Sequence, residues 1–271
     1  MIYKIFYSIL MGISPWTASL SLPTVLAQAP QVQILEKKTE VVSQYPQKEQ
    51  EVKIAIEKWT KSNQAVLDQF DLFSRSLKIG ISNREISEKD AEIVLGAVVF
   101  AAKKHKDQVK SDGQKTPYII HPIEVADFVM RVGHVYSQEV LIAALLHDVM
   151  DETGATYEEI SHLYGSQVVS YVQEMTSKKE VSLKAQKKEQ IMSAFNQTPS
   201  VAIIKLSDKL SNLVTLSKTP PSSWSRDRID LYFQWAQSVI ENLPEANLLL
   251  KKEVKKVIFD YWSKQAQQKK S

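Results

Sequence analysis

The chain has 271 residues, with no cysteine, 7 glycines, 5 histidines and a formal net charge of +3. The lack of cysteine excludes disulfide scaffolds, thiolate metal sites and thiol nucleophiles, and the scarcity of glycine, against a usual share of about 7%, disfavours collagen-like and Gly-rich β architectures. The charge is too small for this length to argue for a nucleic-acid partner, while 44% hydrophobic and 24% charged residues suit an ordinary globular protein with a sizeable core.

In chain order, residues 1–29 stand apart from the rest. Lys4 precedes an apolar run at 5–13 (IFYSILMGI), and no charge occurs between Ile5 and Leu35. Val25-Leu26-Ala27 supplies the small residues that a signal peptidase requires, so a signal peptide cleaved after Ala27 is expected. The protein would then be secreted or periplasmic. The alternative is an uncleaved anchor, although Pro15 and Pro23 leave less than the ~20 apolar residues of a spanning helix. Residues 30–50 read as a polar linker, and 264–271 (KQAQQKKS) as a polar, frayed tail.

From Glu51 onward, apolar residues recur at spacings of three and four. Val52, Ile56, Trp59, Val66, Phe70 and Phe73 fit an N-terminal helical extension over 51–86. Ser87 caps a helix through Val94 and Val98, and Pro122 stands at a first helical position. Ser137 caps the next helix, which contains VLIAALLHDVMDE. Thr156 and Glu159 form a capping box, and Thr198-Pro199 opens another helix. Residues 228–240 and 248–262 supply two more. The charge run 178–189 mixes signs at helical spacing and reads as a solvated helix face. Alternating strand patterns are missing, and Asp112-Gly113 is a hairpin candidate without apolar strands around it. The expected fold is all-α, a bundle of about eight to ten helices, with its main domain over 87–263.

One constellation carries chemistry. His147 and Asp148 end a strongly apolar helix, with Asp151 and Glu152 about one turn further on. Carboxylates crowded at one helix end repel one another unless a cation joins them. His121 precedes a predicted helix, and Asp208 lies in the apolar stretch IKLSDKL with Asn212 one turn on. Two His and two Asp make a nitrogen–oxygen donor set suited to Mn²⁺, Fe²⁺ or Zn²⁺. His105, His134 and His162 read as core or surface residues.

The order H…HD…D, on three helical fragments, resembles the HD phosphohydrolase superfamily. The stretches PYIIHPIEVA (117–126), VLIAALLHDVMDET (140–153) and IKLSDKLSNL (204–213) are similar to the hydrolase domain of RelA/SpoT-type enzymes, in a small hydrolase-only form. The resemblance implies an HD-domain helical bundle that removes the 3′-pyrophosphate of guanosine tetra- or pentaphosphate. It implies His121, His147, Asp148 and Asp208 as ligands of Mn²⁺, Asp151 and Glu152 as the catalytic acidic pair, and Lys110 and Asn212 as contacts to a guanine nucleotide. Two positions depart from the family pattern. The acidic pair, Glu-Asp in the family, is inverted to Asp151-Glu152, which changes each reach by about 1.5 Å, and misplacement of this order can cost about 10²-fold in rate. Lys110 stands where a base-stacking Arg is expected, followed by Ser111 instead of a basic residue, and Lys does not stack as a planar guanidinium does. Lys115 and Lys209 are further candidates to offset phosphate charge. Two alternatives remain open: an HD phosphohydrolase acting on another, extracytoplasmic nucleotide, and a non-catalytic metal-bearing binding module.

Overall fold

A computed structural model describes residues 43–110, 115–176 and 182–268. The expected signal segment, most of the linker, and Asp112-Gly113 lie outside the described residues. Among those described, the chain forms ten α-helices of nine residues or more, one single-turn α-helix and one 3-10 turn (Ala194–Asn196), with no strand. Val109 and Pro117 form one isolated antiparallel bridge.

Helices α1 (Tyr45–Thr60) and α2 (Gln64–Ser82) form the N-terminal extension, and α1 begins inside the stretch read as linker. Pro46 lies in its first turn, where a missing N–H costs nothing. Phe70, Phe73, Val52 and Ile56 are fully buried and belong to the same hydrophobic cluster as the rest of the protein. Helix α1 packs on α3 (Glu88–Lys104) and α2 on α4 (Ile120–Arg131). The α2–α4 contact also holds a buried polar link, in which the Ser76 hydroxyl and the Arg131 guanidinium both donate to the fully buried Asp127 carboxylate.

Helix α5 (Gln138–Leu146) is the centre of the bundle. Every residue from Val140 to Leu146 is buried, the pattern of a helix with neighbours on all sides. Its neighbours are α3, α4, α7 (Tyr157–Met175) and α9 (Pro199–Lys218). The single turn α6 (Val149–Glu152) follows α5 directly. Helices α8 (Leu183–Ser193), α10 (Arg226–Asn242) and α11 (Leu248–Gln268) complete the bundle. Helix α11 runs through most of the expected frayed tail. No described helix is long and apolar enough to cross a membrane.

The four expected caps are present. The side chains of Ser87, Ser137, Thr156 and Thr198 accept from the backbone N–H three residues on. Pro122 is displaced from its expected place, because α4 starts at Ile120 and makes it the third helical residue. No first-turn N–H has an intrahelical partner, so proline fits there equally well. The shift places His121 inside the helix rather than before it.

Helix α9 is unusually polar for its burial. Lys205, Ser207, Asp208, Lys209 and Ser211 are all buried. Burial pushes the Lys205 amine down to about 8 from 10.5, reinforced by nearby Lys209. The unfolded chain therefore holds the extra proton between those values. The penalty on the folded state is full below about pH 8 and disappears as pH rises toward 10.5. Lys205→Met is expected to raise the unfolding free energy at pH 7 by on the order of 1–3 kcal/mol, and to abolish the rise in stability across that window. Urea unfolding at pH 7 and pH 10 checks both.

Candidate metal centre

Three elements deliver the candidate ligands to one point. Helix α4 presents His121 from its first turn, the end of α5 presents His147 and Asp148, and α9 presents Asp208 from its buried face. His147 Nε2 lies 3.1 Å from Asp148 Oδ2 and 3.9 Å from Asp208 Oδ1. His121 Nε2 lies 3.3 Å from Asp208 Oδ1 and 3.7 Å from Asp148 Oδ2. One donor atom each from His121, His147 and Asp208 falls within 4.8 Å of the others, and all three residues are buried.

Both imidazoles are held with Nε2 facing inward. His147 Nδ1 donates to the Ala144 carbonyl at 2.8 Å. The Ser211 hydroxyl donates to Glu124 at 2.5 Å, so His121 Nδ1, 2.9 Å from that same oxygen, is the donor to it. A partner fixing Nδ1–H is the arrangement that leaves Nε2 as a ligand. His147 Nε2 is buried and has no hydrogen-bond partner, an orphan that a bound cation would satisfy. With two nitrogen and two carboxylate donors and no thiolate, the residues fit a divalent metal of intermediate hardness.

Electrostatics agree with that fit. Burial opposes charge on His147, but Asp148 beside it outweighs burial and holds the imidazole up to about 9. Burial also opposes ionisation of both carboxylates, yet the imidazoles keep Asp148, and Lys209 keeps Asp208, well below the usual range. The site thus keeps two anions charged in a buried place, where a bound cation would take over the role of the proton on the imidazole.

The acidic pair follows on α6, with Asp151 half-buried and Glu152 exposed. The Gln108 amide donates to the Glu152 backbone carbonyl, which ties that turn to the segment after α3. Lys110 and Asn212 line one pocket of about 160 Å³ together with Tyr118, Thr215, Trp224 and Tyr232. Lys110 Nζ is 3.3 Å from Thr215 Oγ1. Asn212 donates to Asp208 Oδ1 at 2.6 Å, so it braces a candidate ligand as well as lining the pocket. Lys209 is buried 2.6 Å from Asp208 Oδ2 and is already neutralised by it. Lys115 lines a different cleft.

Several residues escaped the sequence reading. The Tyr118 hydroxyl donates to Asp148, and burial beside that carboxylate raises its pKa strongly. Its place one turn before His121 was a usable signal. His105 is buried, as expected of a core residue, but its ring is 5.0 Å from that of Tyr118, so it backs the site. His134 and His162 are exposed, as expected. Near the pocket, Lys187 Nζ lies 5.0 Å from the centre of the Trp235 ring, buried Lys209 Nζ lies 4.7 Å from it, and the Arg228 guanidinium lies 4.1 Å from Trp224. No short motif announces this group, because α8, α9 and α10 supply it separately.

Comparison with known proteins bears on the site. A family model described as an HD domain matches residues 97–236. A guanosine-3′,5′-bis(diphosphate) 3′-pyrophosphohydrolase, MESH1, of Xenopus tropicalis is 39% identical over 171 residues, covering 63% of this chain and 96% of its own length. The protein of the same name from Homo sapiens is 37% identical over 166 residues, covering 61% and 93%. A solved metazoan ortholog of SpoT, which hydrolyses ppGpp and plays a role in starvation responses, superposes with a TM-score of 0.61 at 34% identity, covering 62% of this chain and 94% of that one.

Proposed function

Because the chain belongs to the HD-domain family, we propose that it hydrolyses the 3′-pyrophosphate of ppGpp, giving GDP and pyrophosphate, with the help of a divalent metal. The observation that carries this is the convergence of His121, His147, Asp148 and Asp208, with His147 Nε2 buried, making no hydrogen bond and facing both carboxylates. These four residues would hold the metal; the mixed donor set suits Mn²⁺, Fe²⁺ or Zn²⁺, and we take it to be Mn²⁺ on the resemblance to RelA/SpoT-type hydrolases. The chemistry such a cation supplies is acidification of water and polarisation of a phosphoryl oxygen.

The chain's own groups do the rest. Asp151 and Glu152 stand one turn beyond the ligands, where they orient the attacking water and take its proton. Tyr118 holds Asp148 in place through its hydroxyl. Lys110 and Asn212 face the pocket beside the cluster and receive the guanine nucleotide, while Lys187 and Arg228 place positive charge near that pocket for its phosphates. Purified protein with Mn²⁺ is expected to convert ppGpp to GDP and pyrophosphate in chromatographic product analysis, and intact ppGpp under those conditions overturns the assignment. Zn²⁺ or Fe²⁺ outperforming Mn²⁺ would correct the metal alone.

The apolar segment at 5–13 favours one further reading, that the protein is exported and meets its nucleotide outside the cytoplasm. A mature N-terminus near Gln28 in the native host supports export, and one at Met1 argues against cleavage.

A further inference from the structure

A second cleft, of about 460 Å³, lies between the α1–α2 turn and residues 106–109, 115 and 117, between α3 and α4 in the chain. Trp59, Lys61 and Asn63 form one wall, and Lys106, Val109 and Lys115 line the other. The first wall lies outside the region 97–236 that matches the HD-domain model. Among the described residues of the lining, Asp107 is the only carboxylate, against three lysines, and it lies 3.9 Å from Lys106. The volume falls within the range of about 300–1,000 Å³ typical of small-molecule pockets.

The aromatic ring and the cations are organised together. Trp59 is half-buried against the core. Lys58 Nζ lies 5.2 Å and Lys106 Nζ 5.8 Å from its ring centre. Both ammonium groups lie over the indole on flexible chains, and a ligand with a planar ring and phosphates can take their place on the indole while they swing onto the anion. This cleft is separate from the pocket at the metal cluster. Gln108 and Val109 line the cleft, whereas Lys110, the next residue, lines the pocket with Asn212.

We propose that this cleft is a second nucleotide-binding site, in which a base stacks on Trp59 and phosphates meet Lys61, Lys106 and Lys115. The proposal does not rest on the identity of the hydrolysed substrate. The test uses GDP and, separately, pyrophosphate as probes, titrated calorimetrically onto the full chain. One GDP-binding event is expected to persist when Lys110→Ala and Asn212→Ala disable the catalytic pocket. That event is expected to weaken at least tenfold in Lys61→Ala/Lys106→Ala, and again in the independent variant Lys115→Glu, with helical circular dichroism unchanged. A binding event insensitive to both of these variants overturns the site, as does the absence of any event in the Lys110→Ala/Asn212→Ala protein. Pyrophosphate binding as tightly as GDP overturns the role of Trp59. Absence of ppGpp hydrolysis by the unmodified protein, with this event intact, counts against the substrate reading and leaves the second site standing.

Discussion

Asp208→Asn is expected to leave a folded protein that binds Mn²⁺ at least about 100-fold more weakly and hydrolyses ppGpp at least about 10³-fold more slowly, a larger effect than the about 10- to 100-fold typical of outer-shell changes. The carboxamide keeps the shape of the side chain and removes its charge. Asp208 Oδ1 is the oxygen that faces both imidazoles, at 3.3 and 3.9 Å. Its other oxygen neutralises buried Lys209 at 2.6 Å. Breaking a buried pair by removing one partner costs about 3–5 kcal/mol, so this variant also loses stability. Asp208→Asn/Lys209→Met separates the two effects, because removing the stranded ammonium restores stability without restoring the metal. Metal content after dialysis, turnover of ppGpp and urea unfolding read the three quantities. An Asp208→Asn protein that keeps one Mn²⁺ per chain and full turnover would remove Asp208 from the metal site.

The second large effect is expected at the acidic pair and should spare the metal. Asp151→Asn is predicted to lower kcat by about 10²–10⁴-fold, the usual contribution of a positioned acid or base, with Mn²⁺ binding unchanged. Glu152→Gln is predicted to cost less. Asp151 is half-buried on α6, where exclusion of water strengthens its interaction with a reacting proton. Glu152 is exposed, and its backbone carbonyl is the part held by Gln108. Single-turnover rates with metal-loaded variants decide the order. A greater loss in Glu152→Gln, or loss of metal in Asp151→Asn, would reverse the assignment of roles within the pair.

Much of the architecture was legible because it depends on local rules. Ser87, Ser137, Thr156 and Thr198 are capping residues by chemistry, and each starts a helix. The uninterrupted apolar run before His147 marks a helix buried on every side, and α5 is that helix. Boundaries set by weaker preferences were less legible. Helix α1 starts among Gln and Lys residues because Val52 and Ile56 bury their faces against α3, not because its first turn favours a helix. Helix α4 starts before Pro122 because its first turn tolerates proline anywhere.

The same division runs through the site. His121, His147, Asp148 and Asp208 could be singled out from residue type and helical spacing, since a carboxylate within an apolar helix demands a partner wherever the helix goes. Their separations of about 3–4 Å, the inward direction of both Nε2 atoms and the Glu124–Ser211–His121 relay depend on how α4, α5 and α9 cross. Those crossings are set by packing between segments far apart in sequence, which no local pattern encodes. Lys115 shows the limit from the other side: its charge and its position near the motif suggested the catalytic pocket, and the left-handed backbone at Lys115 and the Val109–Pro117 bridge belong to a segment that leaves it in the cleft beside Trp59 instead. Composition and periodicity alone specify a helical protein with a nitrogen–oxygen donor set and no thiol chemistry. Which cations face which cavity depends on packing, because α8, α9 and α10 around one pocket, and α1 and the residues after α3 around the other, become neighbours only when their apolar faces share one core.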